Sequence, residues 1–367
     1  MKLVIQNSAH VWGGNEKMLA TVANGLAKRG HDVVVSCAGG VVRDRLTLMG
    51  HRVTRFRPRG AIDPLSGLSF AAWLRTERPD AVLLTSWHSI SWVSFGAKAT
   101  GVKRIVLRQG IVRSAPVSGI RGFAVRKWIT DVIVNAPEIR DEWIRTAAPF
   151  PQDHVHVVLN GIVPLTVTRR ELRKRLRSEL GIDDQILLIG AAGILSQRKG
   201  FDLLLRAFAR ANVEQAHVAI IGDGPHRGLL EQLARELDIE RRVHFLGARE
   251  KGAEAVAALD VFVLSSHNEG MANVMLEAMA ADVPVIASDI SGVRTAIGTT
   301  GERPPAGWIF QPGNVESLAE RIAQLAHLIR HEANEVSART EEAAYRIGAW
   351  FSLDRMLDET ERILFYQ

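Results

Sequence analysis

Residues 3–36 read LVIQNSAHVWGGNEKMLATVANGLAKRGHDVVVS. The runs at 3–6 and 33–36, rich in Leu, Val and Ile, have the length and composition of buried strands. Between them Met18, Leu19, Val22 and Leu26 recur at helical spacing over residues 15–29, and Gly30 supplies the stop. A strand, a helix and a second strand in that order imply a parallel sheet covered by helices on both faces. The alternation continues, with strands expected at 81–85, 105–108 and 132–135. It then starts again: strand 186–191, helix 203–210, strand 218–221, helix 229–237, strands 243–246 and 261–265, helix 273–280, and strand 285–287 to close. The fold class read from this pattern is α/β, with two Rossmann-like, doubly wound parallel-sheet domains.

The 367 residues are too many for one ordinary core and fit two domains of about 150–200 residues. The boundary is expected at Asn160-Gly161-Ile162-Val163-Pro164, with an Arg-rich helix at 169–180 opening the second unit. That gives an N-terminal domain over 1–160 and a C-terminal domain over 161–349. Residues 351–366 are amphipathic, with Leu353, Met356, Leu357, Thr360 and Leu364 on one side, and 350–367 are expected to pack back on the N-terminal domain. Two such domains are expected to face each other across a cleft at the carboxyl ends of their strands, where open α/β sheets bind ligands. Dehydrogenases, epimerases and solute binders share such sheets, so function has to come from particular residues.

One cysteine, Cys37, precludes an intramolecular disulfide and fits a reducing compartment; its apolar surroundings suit a buried, inert thiol. The apolar start at residues 3–5 is too short for a secretory signal core, and the longest apolar run, 186–195, is far below the ~18 residues that span a bilayer. A cytoplasmic location is expected, with attachment to the cytosolic face of a membrane left open. Residues 1–160 carry 22 Lys and Arg against 11 Asp and Glu, a net of +11, while 161–367 carry 24 against 29, a net of −5. The basic half either meets an anionic surface or is an ordinary solvated face. The segment 111–128 has the composition for an anionic membrane: Arg113, Arg121, Arg126 and Lys127 interleave with Ile120, Phe123, Val125 and Trp128.

The chemistry is densest in SSHNEGMANVMLEAMAADVPVIASD, residues 265–289. Glu269 and Glu277 flank the start of a helix, and the amides of Gly270, Met271, Ala272, Asn273 and Val274 fall at or before its N-terminus. Free N–H groups and the helix dipole there suit a diphosphate, and carboxylates accept hydrogen bonds from paired sugar hydroxyls. A helix with acidic capping residues would read the same way.

The same stretch resembles the signature of family 4 glycosyltransferases, an EGxxxxxxEAMA run followed by a PVIAS-type strand, with Asp282 where a glycine is usual. The resemblance extends through GGNE (13–16), VNAPEIRDEW (134–143), VVLNGI (157–162), GILSQRKGFDLLLRAF (193–208), IGDGP (221–225) and VHFLG (243–247), in the family's order. It implies the GT-B fold and retaining transfer of a hexose-type sugar from a nucleotide sugar, UDP favoured, to a hydroxyl acceptor. A lipid-linked acceptor, as in cell-envelope polysaccharide or glycolipid synthesis, belongs to that expectation. By resemblance Glu269 contacts donor hydroxyls near the reacting centre, Glu277 holds the ribose, Gly13 and Gly14 lie near the phosphates, and Lys199 stabilises the departing diphosphate.

Two departures stand out. Ile194 occupies the position of a usual arginine, for which Arg198 is the candidate substitute. Arg108-Gln109 stand where a histidine is common, which leaves His88, or an ordinary loop role for it, on the acceptor side; His10 is the other histidine nearby. No cofactor, metal or nucleic-acid partner is expected, and Asp223 reads as a turn residue. GGNEKM lacks the GxGxxG fingerprint of a dinucleotide enzyme. A sugar-nucleotide epimerase, or a binder without turnover, are the competing readings.

Overall fold

The computed structural model describes residues 1–56, 64–111, 118–147, 149–298 and 303–366. These form two compact units, Met1–Gly161 with Leu353–Gln367, and Ile162–Ser352.

The first unit opens with β1 (Lys2–Asn7), α1 (Gly14–Lys28), β2 (Asp32–Cys37), α2 (Val41–Leu48) and β3 (Arg52–Arg55). It continues through α3 (Pro64–Glu77), β4 (Ala81–Leu84), α4 (Ile90–Ala99), β5 (Arg104–Gln109) and α5 (Gly119–Lys127). Then come β6 (Asp131–Val134), α6 (Pro137–Thr146) and β7 (Val155–Val157). The second unit runs α7 (Arg169–Leu180), β8 (Leu187–Ala192), α8 (Phe201–Ala211), β9 (Ala216–Ile221), α9 (Arg227–Glu236) and β10 (Val243–Gly247). After these follow α10 (Gly252–Ala257), β11 (Val261–Leu264), α11 (Asn273–Ala280), β12 (Val285–Ser288), α12 (Val293–Ile297) and β13 (Trp308–Phe310). Two long helices, α13 (Val315–His331) and α14 (Ala333–Trp350), end this unit, and α15 (Leu353–Phe365) returns to the first.

Both sheets are parallel, ordered β3-β2-β1-β4-β5-β6-β7 and β10-β9-β8-β11-β12-β13. Each winds outward in both directions, so each reverses once: between β1 and β4, and between β8 and β11. In open α/β sheets, ligands bind at such reversals, at the carboxyl ends of the strands.

Strand alternation divides the first unit's core. Leu3 and Ile5 face α1 through Met18, Leu19, Val22 and Leu26, and α15 through Met356, Leu357 and Leu364. Val4 faces the opposite layer, with Phe70 and Leu74 of α3 and Val93 of α4. Both layers are apolar, which explains why β1, β2 and β4 read as unbroken apolar runs. A charged clasp also holds α15: Arg29 Nη1 lies 2.8 Å from Glu361 and 2.7 Å from Asp358, and His31 Nε2 lies 2.9 Å from Glu361.

Two expectations are corrected, and one strand appears where none was expected. The second sheet does not close at β12, because the three-residue strand β13 pairs beyond it. An edge strand, β3, pairs with β2 through the polar sequence RVTR, which carries no apolar run to announce it. Val125 is buried in the core and offers nothing to a membrane, while Trp128 packs on Phe95 and Phe123. Ile120 and Phe123 of α5 are exposed, as is Ile111; Arg113 lies outside the described residues. Among the described residues no helix is long and apolar enough to cross a membrane.

Candidate active site

Lys199 and Glu269 are 70 residues apart in sequence, yet they sit on the loops that follow the two strands flanking the second sheet's reversal. β8 leads into residues 193–200, ending in a short 3₁₀ turn over Gln197–Lys199. β11 leads into residues 265–272 and then α11. The loops lock through backbone: His267 N–H donates to the Arg198 carbonyl at 2.9 Å, and Ser265 Oγ donates to the Lys199 carbonyl at 3.1 Å. Gly200 sits at φ +61°, where a Cβ would lie 2.2 Å from the Ser265 carbonyl oxygen, so only glycine admits this approach.

Locked in this way, the loops bring three charges together. Lys199 Nζ is 2.5 Å from Glu269 Oε1, and Arg198 Nη1 is 3.1 Å from Glu269 Oε2. The same Arg198 nitrogen donates to the Asn268 carbonyl at 2.8 Å. Lys199 and Glu269 are largely buried, whereas Arg198 is half exposed. Ile194, 41% exposed, contributes no charge here.

Behind Glu269 the chain passes buried Gly270, Met271 and Ala272 into α11. Ala272 is the N-cap and its side chain caps nothing; the first turn holds no acidic residue. A helix start normally carries Ser, Thr, Asp or Asn there, and Ala272 brings no side-chain acceptor to the positive end of α11. Asn273 and Val274 begin the helix, half-buried, and Glu277 lies one turn on, also half-buried. Gly292, after β12, packs against this loop: a Cβ on it would lie 1.9 Å from the Gly270 carbonyl oxygen. Asp223 lies in the loop after β9, and its Oδ1 takes the Gly224 amide at 2.8 Å.

Gly13, Gly14 and His88 belong to the first unit: Gly13 and His88 lie on the loops after β1 and β4, the sheet's reversal point, and Gly14 opens α1. Gly13 is the N-cap of α1, and its amide donates to Glu16 Oε2 at 3.1 Å. The buried Glu16 also accepts from Asn7 and Asn15 through Oε1. GGNE thus carries its own internal carboxylate at the helix start, a feature the glycines alone do not signal. His88 is an exposed turn residue, and His10 is exposed too. Next to His88, Ser89 Oγ donates to Gln6 Oε1 at 2.7 Å, and Ser8 Oγ donates to Ser89 Oγ at 3.0 Å, tying the two loops together. Sequence reasoning missed this network; its signal was polar residues ending an otherwise apolar strand.

Arg108 was read only as a departure from a family pattern. It is 7% exposed; Nη2 donates to Asn160 Oδ1 at 2.7 Å, and Nη1 has no hydrogen-bond partner among the described residues. Burial pushes its pKa down to about 10.

Residues 12–164 match the model described as Glycosyltransferase Family 4, and residues 173–346 match Glycosyl transferases group 1. The lipopolysaccharide core biosynthesis glycosyltransferase LpsE of Rhizobium meliloti (strain 1021) is 27% identical over 85% of each chain. The N-acetyl-alpha-D-glucosaminyl L-malate synthase of Bacillus anthracis is 30% identical over 48% of this chain, a match spanning 45% of that protein. Among solved structures, Anabaena Alr3699/HepE in complex with UDP superposes with a TM-score of 0.82 over 99% of both chains at 18% identity, and has also been solved with UDP-glucose. The fold is that of GT-B glycosyltransferases, and the chain belongs to the family 4, or group 1, glycosyltransferases.

Proposed function

We propose that this glycosyltransferase is a retaining, metal-independent enzyme that moves a hexose-type sugar from a nucleotide sugar to a hydroxyl acceptor. The observation that carries the reading is the Lys199–Glu269–Arg198 constellation beside the start of α11, where Ala272 offers no side-chain cap. As the bond from the anomeric carbon to phosphate breaks, charge grows on the diphosphate. Lys199, Arg198 and the α11 amides from Gly270 to Val274 offset that charge, and they do so most in the transition state. Glu269 accepts hydrogen bonds from the sugar hydroxyls and Glu277 from the ribose. The acceptor oxygen attacks on the face the leaving group vacates, and its proton passes to a phosphate oxygen, so configuration is kept. Gly13 and Gly14 border the phosphates, and His88 serves the acceptor side.

UDP is the favoured nucleotide, in keeping with the UDP and UDP-glucose complexes of Alr3699/HepE. The lipopolysaccharide core biosynthesis role named for LpsE supports an acceptor from the cell envelope; to this the proposal adds a lipid-linked acceptor and an enzyme in the cytoplasm, peripheral on the cytosolic face of the membrane. The basic first unit, through exposed Ile120 and Phe123 with Arg121 and Lys127 of α5, is the surface offered to anionic lipid. A screen of UDP-, GDP- and ADP-sugars for thermal stabilisation, followed by turnover, tests the reading. Stabilisation without turnover would favour a binder, and an epimerised donor an epimerase.

A further inference from the structure

Both oxygens of Glu269 are already in use: Oε1 holds Lys199 and Oε2 holds Arg198. The loops do not need this pairing to stay packed, because the His267–Arg198 and Ser265–Lys199 contacts run through backbone carbonyls. Two cations around one carboxylate leave a net positive charge beside the start of α11, whose N-cap residue Ala272 offers no side-chain cap. A diphosphate arriving at Lys199 and Arg198 competes with Glu269 for their charge, and a sugar arriving at Glu269 competes with the two cations for its oxygens.

We propose that the Glu269 carboxylate occupies Lys199 and Arg198 as an internal stand-in for the donor's diphosphate, so that the donor enters by exchange of one anion for another. The proposal rests on the nucleotide-sugar reading above. Exchange frees Glu269 for the sugar hydroxyls at the moment the phosphates arrive, which couples completion of the site to donor binding. It also sets a threshold: a ligand must carry enough concentrated negative charge to displace a carboxylate from two cations, and a nucleoside without phosphate gains nothing from them. Neutralising Glu269 leaves Lys199 uncompensated in a largely buried position and Arg198 without its carboxylate, which destabilises the free protein relative to the diphosphate complex. Affinity for the diphosphate therefore rises while turnover falls, a split that a purely structural role for Glu269 does not produce.

Calorimetric titration of UDP and of uridine into the wild type and Glu269→Gln tests this. The variant is expected to bind UDP about three- to tenfold tighter, to bind uridine unchanged, and to lose turnover. Equal or weaker UDP binding, or an equal gain for uridine, overturns the exchange. A crystal structure of the wild type with UDP gives a readout that does not depend on the variant folding. There Lys199 Nζ is expected on a phosphate oxygen and more than about 4 Å from Glu269; Lys199 still paired to Glu269 overturns the proposal. A wild type that binds none of UDP, GDP and ADP overturns the donor reading and this proposal with it. Nucleotide binding without the Glu269→Gln gain sinks the exchange alone.

Discussion

Replacing Lys199 with alanine removes the least exposed of the site's two cations while sparing the loop that carries it. The Lys199 amide bonds to the Ser196 carbonyl, and the Lys199 carbonyl accepts from Ser265 Oγ; alanine keeps both. What is lost is a charge on a side chain only 15% exposed. A unit charge about 4 Å from a developing anion contributes about 4 kcal/mol at an effective dielectric of about 20. Arg198, half exposed and tied to Asn268, is screened by water and replaces little of it. The expected loss in kcat is about 10²–10³, equivalent to about 2.7–4 kcal/mol of transition-state stabilisation. The assay is steady-state release of nucleoside diphosphate from the donor sugar selected in the thermal screen, with the melting temperature as a check on folding. Lys199→Arg should recover part of the loss. A folded Lys199→Ala enzyme with kcat down by less than about tenfold would refute the electrostatic argument.

Glu277→Gln should weaken binding of the nucleoside diphosphate about tenfold, about 1.4 kcal/mol for a charged hydrogen bond to ribose, and calorimetry with unchanged affinity would remove Glu277 from the site. The Arg29 hydrogen bond, helped by His31 against the opposing effect of burial, holds Glu361 below its usual 4.5. Its folded pKa is depressed, so the stability it contributes is present above about pH 4.5 and is lost as pH falls through the folded value. Glu361→Gln should therefore lower the melting temperature at pH 7 by about 2–4 °C, and the difference should shrink as pH falls through the depressed folded pKa; a difference independent of pH would contradict the clasp. The enzyme should sediment with anionic but not neutral vesicles, less so in high salt, and less again when Arg121, Arg126 and Lys127 are changed to serine. Equal recovery with both lipids, or none with either, would take the membrane out of the account.

Much of the fold was open to reading because parallel strands buried on both faces are apolar throughout, as in Leu3-Val4-Ile5 or Val33-Val34-Val35. The helix 273–280 matches its expected bounds because its apolar positions and the loop before it agree. The two strands the sequence does not show share one physical cause: strand pairing supplies what the side chains do not advertise. β3 holds to β2 by backbone with exposed arginines at both ends, and β13 is too short to show a period. Val125 misled because a short basic helix presents its apolar residues to the core as readily as to a membrane. Within the site, residue types and order were legible, but the pairing of Glu269 with Lys199 and Arg198 was not, since it arises only when two loops meet at the sheet's reversal. The same holds for Arg108, whose partner Asn160 comes from beyond two further strands. Glu16 was visible in GGNE all along, three residues after Gly13, at the spacing of a capping box.

The central claim, retaining transfer from a nucleotide sugar, is tested most directly by proton NMR of one reaction: an α-linked UDP-hexose, the enzyme, glycerol as a generic hydroxyl acceptor, and EDTA. The account predicts release of UDP and a glycoside whose anomeric signal has the small coupling of an α linkage. A β-linked product would contradict retention, and no consumption of UDP-, GDP- or ADP-hexose by folded enzyme would contradict the nucleotide-sugar donor itself.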